Sequence, residues 1–440
     1  MKCNSRSVLA GEEAGLRIDH DGYTDLKMDN SLQSNEQPTI QDPHAKAGAK
    51  AGAKAGAKAG AKAVGADGPL VLQVLPALEM GGVERGTVQT AAALTGAGWR
   101  AMVASSGGLM THELKRAGAE HVELPLAAKR PFRMLRNGDA LAELINNRGV
   151  DLIHARSRAP AWSALSAARR TATPFVTTFH NAYGHNRWKH HYNAVMAKGD
   201  KVIAISDFVA EHAREVYGVP DDRLVTIHRG IDPDLFDPAK VSAERIIQAA
   251  RPWRLDDDRP VIMLPGRLTR WKGQAVLIDA LAILGRQDIC CVLVGGDQGR
   301  TAYRTELEEQ ARSKGMGEVV RVVDHCSDMA AAYMLADVVV SASTHPEGFG
   351  RVAVEAQAMG RPVIATDHGG ARETVWPNES GWLVPPGDAE ALAAALERAL
   401  SLSQTERETI AANGRDNVLQ NFTVSLMCDR ILAVYKSLLD

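Results

Sequence analysis

Two glutamates, Glu347 and Glu355, stand eight positions apart in the stretch SASTHPEGFGRVAVEAQAMG (341–360). It begins within the apolar run DVVVSAS (337–343) and is closed by Gly360-Arg361-Pro362. A helix that begins near Gly350 or Arg351 carries Glu355 about five residues in, roughly 7.5 Å along its axis. Glu347 falls in the loop before it, so the two carboxylates are presented at different depths. Gly348, Phe349 and Gly350 allow main-chain amides to approach a ligand, and amides at a helix N-terminus suit an anion. Carboxylates beside a phosphate are unfavourable unless they bind sugar hydroxyls. The combination points to a nucleotide-sugar.

A second group lies in LPGRLTRWKGQ (264–274), again just after an apolar run. Arg267 and Lys272 bracket a short loop, and Lys272-Gly273 opens the next helix. Such a pair suits a diphosphate, Arg as a planar fork and Lys as a point charge. A third is EMGGVERG (79–86), where Gly81 and Gly82 permit close backbone approach to an anion. It is not a G-x-G-x-x-G fingerprint, which argues against a nicotinamide oxidoreductase. In TTFHNAYGHN (177–186), His180 ends an apolar run. His180, His185, His190 and His191 lack the spacing of a metal site and any paired Asp, Glu or Cys. No D-x-D motif stands at a strand end. Asp256, Asp257 and Asp258 read as a solvated turn, so no metal and no other cofactor is expected.

The elements that must hold these residues alternate. Apolar runs at 70–76, 101–106, 151–155, 175–180, 201–206 and 224–229 read as strands, and a second series lies at 261–266, 289–296, 319–323, 337–343 and 362–366. Segments such as Val83–Ala97, Trp162–Arg170, Phe208–Tyr217 and Gln274–Leu284 carry apolar residues at three- and four-residue spacing, as helices do. Near-continuous apolar strands alternating with helices mean parallel sheets covered on both faces. Two series, separated by a charged, proline-bearing stretch near 232–260, mean two doubly wound α/β domains and a hinge. In such sheets ligands bind beyond the carboxyl ends of the strands, so the site is expected in the cleft between the domains.

The 440 residues carry 51 basic and 53 acidic side chains, a formal charge of −2, which argues against a nucleic-acid binder. Five cysteines form no C-x-x-C pair, and neither a disulfide framework nor a zinc site is expected. No apolar run is long enough to span a membrane and no signal peptide is read, so a cytoplasmic protein is expected. Residues 1–68 differ from the rest. They are polar and then repeat AKAG, with a glycine in every repeat to oppose a stable helix. A disordered tail is expected there.

With these residues assembled, the chain from about Leu70 onward resembles the retaining family-four glycosyltransferases of the GT-B fold. PGRLTRWKG, the PEGFGRVAVEAQAMGRPVIAT block with its two spaced glutamates, GGARETV (369–375) and LVTIHRGIDPDLFDP (224–238) carry the resemblance. It implies two Rossmann-like domains facing each other across a cleft: an acceptor-side domain over 69–240, a nucleotide-sugar domain over 241–420, and a helix over 421–440 that packs back towards the first. It implies that Arg267 and Lys272 neutralise the diphosphate, that Glu355 binds the ribose and Glu347 the donor sugar, and that amides of Gly348, Phe349 and Gly350 bind sugar or phosphate. Gly82 would approach the β-phosphate from the opposite domain, and His180 would lie near the reaction centre.

The activity so implied is transfer of a sugar, with retention, from a nucleotide-diphosphate sugar to a glycan or glycolipid acceptor in cell-envelope polysaccharide or lipopolysaccharide synthesis. A nucleotide-sugar epimerase of the same architecture and a non-catalytic nucleotide-sugar-binding protein are the alternatives. The basic and apolar stretch KRPFRMLRNG (129–138) adds the expectation of peripheral contact with the inner membrane's cytoplasmic face.

Overall fold

A computed structural model describes residues 68–440 apart from 129, 185, 256, 257, 298 and 300, and the side chain of Pro131. Residues 1–67 of the expected tail, Lys129, His185 and the Asp256-Asp257 pair lie outside the described residues. The first lobe is built on strands β1 (Leu70–Val74), β2 (Arg100–Ser105), β3 (Glu120–Glu123), β4 (Leu152–Ala155), β5 (Phe175–Phe179), β6 (Lys201–Ala204) and β7 (Leu224–Thr226). Among the described residues they form one seven-stranded sheet in the order β3-β2-β1-β4-β5-β6-β7, with every pair parallel. Its helices are α1 (Gly82–Gly96), α2 (Thr111–Arg116), α3 (Pro131–Arg148), α4 (Arg158–Thr171), α5 (Arg187–Asn193) and α6 (Asp207–Tyr217).

The second lobe holds β8 (Val261–Pro265), β9 (Cys290–Val294), β10 (Val320–Val323), β11 (Val338–Ser341), β12 (Val363–Thr366) and β13 (Gly381–Val384), paired in parallel in the order β10-β9-β8-β11-β12-β13. Around them lie α7 (Ala243–Ala250), α8 (Gln274–Leu284), α9 (Thr301–Ser313), α10 (Met329–Met334), α11 (Arg351–Ala358), α12 (Ala371–Thr374), α13 (Ala389–Leu400) and α14 (Gln404–Asn421). The two Rossmann-like domains that the resemblance implies are therefore present. The stretch between the sheets is not a bare hinge. It holds α7, which packs on the second lobe, with Arg245 bonding both oxygens of Asp328 at 2.8 Å.

Parallel pairing suits strands that, β3 apart, are largely apolar and flanked by helices on both faces. Val71, Leu72, Val74, Ile262, Met263, Val292 and Leu293 are all buried. In each sheet the strand order reverses once. β1 is followed outward by β2 on one side and by β4 on the other, and β8 likewise lies between β9 and β11. At such a reversal the loops leave in opposite directions and open a crevice. Residues after β1 and β4 line one crevice; residues after β8 and β11 line the other.

The chain crosses between the lobes twice at one place. Ile231 pairs with Thr423 in a parallel bridge, with Ile231 N–H donating to the Phe422 carbonyl at 2.8 Å and Val424 N–H to the Ile231 carbonyl at 2.9 Å. Gly230 lies so close that a side chain there would collide with the Thr423 carbonyl. Beyond Thr423, α15 (Val424–Leu439) lies against α1, burying Met427, Cys428, Ile431, Val434 and Tyr435. The Tyr435 hydroxyl meets His154 Nδ1 at 2.6 Å inside the first lobe. No described helix is long and apolar enough to cross a membrane.

Candidate active site

The crevice of the second sheet brings Lys272 and Glu347 together. Lys272 ends a short 3-10 turn after β8; Gly273 then caps α8 in a left-handed conformation, φ +72°, pressed against the Ala342 carbonyl. That contact fixes the β8 loop against the end of β11. Lys272 Nζ lies 2.7 Å from Glu347 Oε1, with side-chain exposures of 12% and 19%. Ser343 Oγ also donates to Glu347 Oε1, and Ser341 Oγ stands at 3.5 Å. Burial alone would push the Glu347 carboxyl up. The Lys272 charge, the bonds from Lys272 and Ser343 and the nearby His368 outweigh it and hold Glu347 below the ordinary carboxylate value. The Glu347 loop is held from beneath by GGARETV: Gly370 N–H donates to the Glu347 carbonyl at 2.9 Å, and Gly369 adopts φ +58° against the same residue.

Gly350 caps α11 at φ +82°, so the helix starts at Arg351. The amides of Gly348, Phe349 and Gly350 have no acceptor among the described residues. The Phe349 ring is buried away from them, against Phe422 at 5.6 Å and His228 at 6.2 Å between ring centres. Glu355 is buried one turn into α11. It accepts from the Tyr333 hydroxyl at 3.0 Å and from Arg351 Nη2 at 2.6 Å. Glu355 and Tyr333 line a cavity of about 170 Å³ together with Gly266, Arg267, Gly296 and His325. The exposed Arg267 guanidinium has no carboxylate partner among the described residues. A charged fork, a buried carboxylate and glycine backbone thus share one small space.

The first lobe meets this crevice at two points. A Cβ on Gly348 would lie 2.8 Å from the His180 carbonyl, and one on Gly82 would lie 3.6 Å from Arg351 Nη1. Gly81 caps α1 in extended backbone and Gly82 is its first residue, so the helix N-terminus faces the second lobe. His180 lies at the end of β5 with its Nδ1 accepting from Arg229 Nη2 at 2.8 Å. Burial, then the charges of Arg229 and Arg156, hold its ring well below the ordinary histidine value, so it is neutral with the proton on Nε2. Nε2 makes no hydrogen bond of good geometry; the Arg156 carbonyl is the acceptor nearby.

Two family models divide the chain along these lobes: Glycosyltransferase Family 4 over residues 80–235 and Glycosyl transferases group 1 over 246–417. A solved glycosyltransferase from Rickettsia africae is 38% identical, with a TM-score of 0.79 over 85% of this chain and 99% of that one. This chain belongs to the glycosyl transferases group 1 family. A D-inositol 3-phosphate glycosyltransferase of Catenulispora acidiphila is 35% identical over 257 residues, 56% of this chain. The alignment spans 60% of that relative's own length. Anabaena HepE in complex with UDP is 25% identical, with a TM-score of 0.72 over 84% of this chain and all of its own.

In this family member the structure brings Lys272 to Glu347 and Arg267 to Glu355, and it places His180 with two arginines at the first lobe's crevice. Sequence reasoning missed those arginines, Arg156 and Arg229, and the partners of Glu355, Tyr333 and Arg351. Arg156 follows a strand as His180 does, and that shared position was the available signal. Of the other histidines, His190 stacks on Tyr217 with ring centres 4.9 Å apart and His191 lies beside Trp162 at 6.0 Å. Asp207, His228 and Glu373 each bring one potential metal-ligand atom within 4.8 Å of the others. The Glu373 oxygens are already taken by the Asp207 and Phe208 amides, each at 2.8 Å, and by His228 Nε2 at 2.7 Å. Glu373 thus caps α6 from the opposite lobe and fastens the two together.

Proposed function

We propose that the chain transfers a hexosyl-type sugar from a nucleotide-diphosphate sugar to a glycan or glycolipid acceptor, with retention at the anomeric carbon, in the synthesis of a cell-envelope polysaccharide or lipopolysaccharide. The observation that carries this reading is the convergence, at one sheet reversal, of the Lys272–Glu347 pair, the Arg267–Glu355 cavity and the unpaired amides of residues 348–350. Cleavage of a sugar–diphosphate bond builds negative charge on the leaving phosphate. Fixed donors aimed at that charge supply the largest share of catalysis in such sites. Arg267, Lys272 and those amides are the donors; Glu355 takes ribose hydroxyls, Glu347 sugar hydroxyls, and Gly82 the β-phosphate from across the cleft. Glu347, bonded to Lys272 and two serines, is engaged as a hydroxyl acceptor rather than free as a nucleophile, which favours front-face attack. The departing phosphate then takes the acceptor's proton. Cations built from side chains make the reaction independent of metal.

Calorimetric titration with UDP, GDP, ADP and their common sugar conjugates, with and without a chelator, tests the donor site. Glu355→Gln is the informative variant. Glu355→Ala would orphan the buried Tyr333 hydroxyl and confound binding with folding. One nucleoside diphosphate should bind the wild type irrespective of chelator and bind Glu355→Gln about 10- to 100-fold more weakly. Equal affinity in the two proteins sinks the assignment.

The acceptor side carries the membrane reading. α3 presents Arg130, Arg133 and Arg136 near its start, with Phe132 and Leu135 exposed at 70% and 64%. We place this basic and apolar end at the cytoplasmic surface of the inner membrane. Co-sedimentation with anionic vesicles, lost in Phe132→Ser/Leu135→Ser, is the check.

A further inference from the structure

The crevice of the first sheet holds a charge arrangement that the donor site does not use. Arg156, the residue after β4, is 2% exposed, and its Nε and Nη1 are buried with no hydrogen-bond partner among the described residues. Arg229, beyond β7, is 9% exposed; its Nη1 donates to the Gly82 carbonyl at 2.6 Å and its Nη2 to His180. A Cβ on Gly86 would lie 2.7 Å from Arg229 Nη1 and 3.1 Å from Arg156 Nη2, so both guanidiniums lie side by side against the opening turns of α1. Glycine at that position is what lets them approach.

Two buried guanidiniums repel each other, and burying either without an anion is unfavourable. Among the described residues no carboxylate lies within ion-pair distance of Arg156 or Arg229. The charge of Glu84 reaches Arg229, while Arg351 adds a third cation that is itself paired with Glu355. Tyr435 and Cys428, packed on Arg156 from α15, are kept protonated by burial, the thiol being pushed up to about 11. Burial pushes the Tyr183 hydroxyl beside Arg229 up and holds the His180 and His154 rings well below the ordinary histidine value, so none of the three offers a negative charge. The helix N-terminus adds positive potential to an already uncompensated pair.

We propose that Arg156 and Arg229 form an oxyanion site that takes a phosphate monoester carried by the acceptor. Two planar forks side by side match a doubly charged tetrahedral phosphate better than a singly charged carboxylate. The site lies in the first lobe, at the reversal between β1 and β4, whereas the cations for the donor's diphosphate follow β8 at the other reversal. The role as an acceptor site rests on the glycosyl-transfer reading above; the anion site itself does not.

The full chain is titrated with inorganic phosphate, as wild type and as Arg156→Met and Arg229→Gln, and each protein is also melted in phosphate-free buffer. Phosphate should bind the wild type and bind both variants at least about tenfold more weakly. Arg156→Met should melt no lower than wild type without phosphate, because an unpaired buried charge has been removed. Phosphate affinity should be unchanged when UDP, GDP or ADP saturates the donor site. Displacement of phosphate by a nucleoside diphosphate would assign the arginines to the donor instead and overturn the proposal. So would a wild type that does not bind phosphate, equal phosphate affinity in Arg156→Met, or a lower melting temperature for that variant. If phosphate behaves as expected but no nucleoside diphosphate binds, the glycosyl-transfer reading fails and the anion site stands.

Discussion

Replacing Lys272 with alanine leaves Glu347 buried with only hydroxyl donors from Ser343 and Ser341. In the wild type two opposing influences act on that carboxyl: burial pushes it up, and the Lys272 ammonium at 2.7 Å, with its hydrogen bond, more than cancels the push. Without Lys272 the balance reverses, and Glu347 moves above its ordinary value. Breaking one half of a buried ion pair costs about 3–5 kcal/mol, whereas removing both halves is near neutral. Because both side chains keep some exposure, the lower part of that range, about 3 kcal/mol, is expected for Lys272→Ala. For a domain of this size that is about 6–12 °C in melting temperature. Glu347→Gln in the same background should recover about 2 kcal/mol of it. Urea denaturation of the wild type, both single variants and the double variant measures the coupling directly. Coupling below about 0.5 kcal/mol would show that the two charges do not compensate each other. The same four proteins separate folding from chemistry, since the double variant should refold well and still lose about 100- to 1000-fold in transfer rate, as the cation aimed at the leaving phosphate is absent.

Stability should fall as pH drops below about 6.5. His154 and His180 are held well below the ordinary histidine value in the folded chain, by burial first and then by neighbouring arginines. The unfolded chain therefore takes up protons that the folded chain refuses, at up to about 1.4 kcal/mol per pH unit for each ring. Denaturation measured from pH 7 to 5 should show that slope, and the His154→Gln/His180→Gln variant should lose most of it; an unaltered slope contradicts the assignment. Glu373→Ala removes the acceptor of the Asp207 and Phe208 amides and the partner of His228, so small-angle scattering should report a larger radius of gyration and freer lobes. An unchanged radius would mean that Glu373 does not fasten them. Gly273→Ala combines a left-handed backbone with a methyl aimed at the Ala342 carbonyl, and a loss above about 2 kcal/mol is expected in the same denaturation assay. A loss within experimental error would mean that the β8 loop is not held against β11.

The apolar strands of both sheets were legible because a strand buried on both faces is written as an uninterrupted apolar run. β3 and β13 were not. Each is a four-residue strand at one edge of its sheet; EHVE carries two exposed glutamates where an inner strand carries valines, and GWLV opens on a glycine directly after a turn. At the site, residue types and their placement after strands pointed to Arg267, Lys272, Glu347 and Glu355, but not to who meets whom. The Lys272–Glu347 contact joins residues 75 apart, and only the adjacency of β8 and β11 creates it. Arg156 and Arg229 escaped for the same reason: each looks like one more charge after a strand until β1, β4 and β7 are placed in one sheet. The helix inside the 232–260 stretch is hidden by its flanking prolines and charges.

The double crossing at Ile231 and Thr423 makes the first lobe discontinuous along the chain, with the second lobe inserted between β7 and α15. A ribosome that has released residues 68–226 has delivered a complete seven-stranded sheet but not the helix that covers α1. Until α15 arrives, Met427, Cys428 and Ile431 are missing from that face, and the buried His154 ring lacks the hydroxyl of Tyr435. The second lobe suffers no such delay, since its strands and helices through α14 emerge consecutively. The nascent chain can therefore finish its second lobe before its first, and a premature stop anywhere ahead of residue 424 damages the half made earliest.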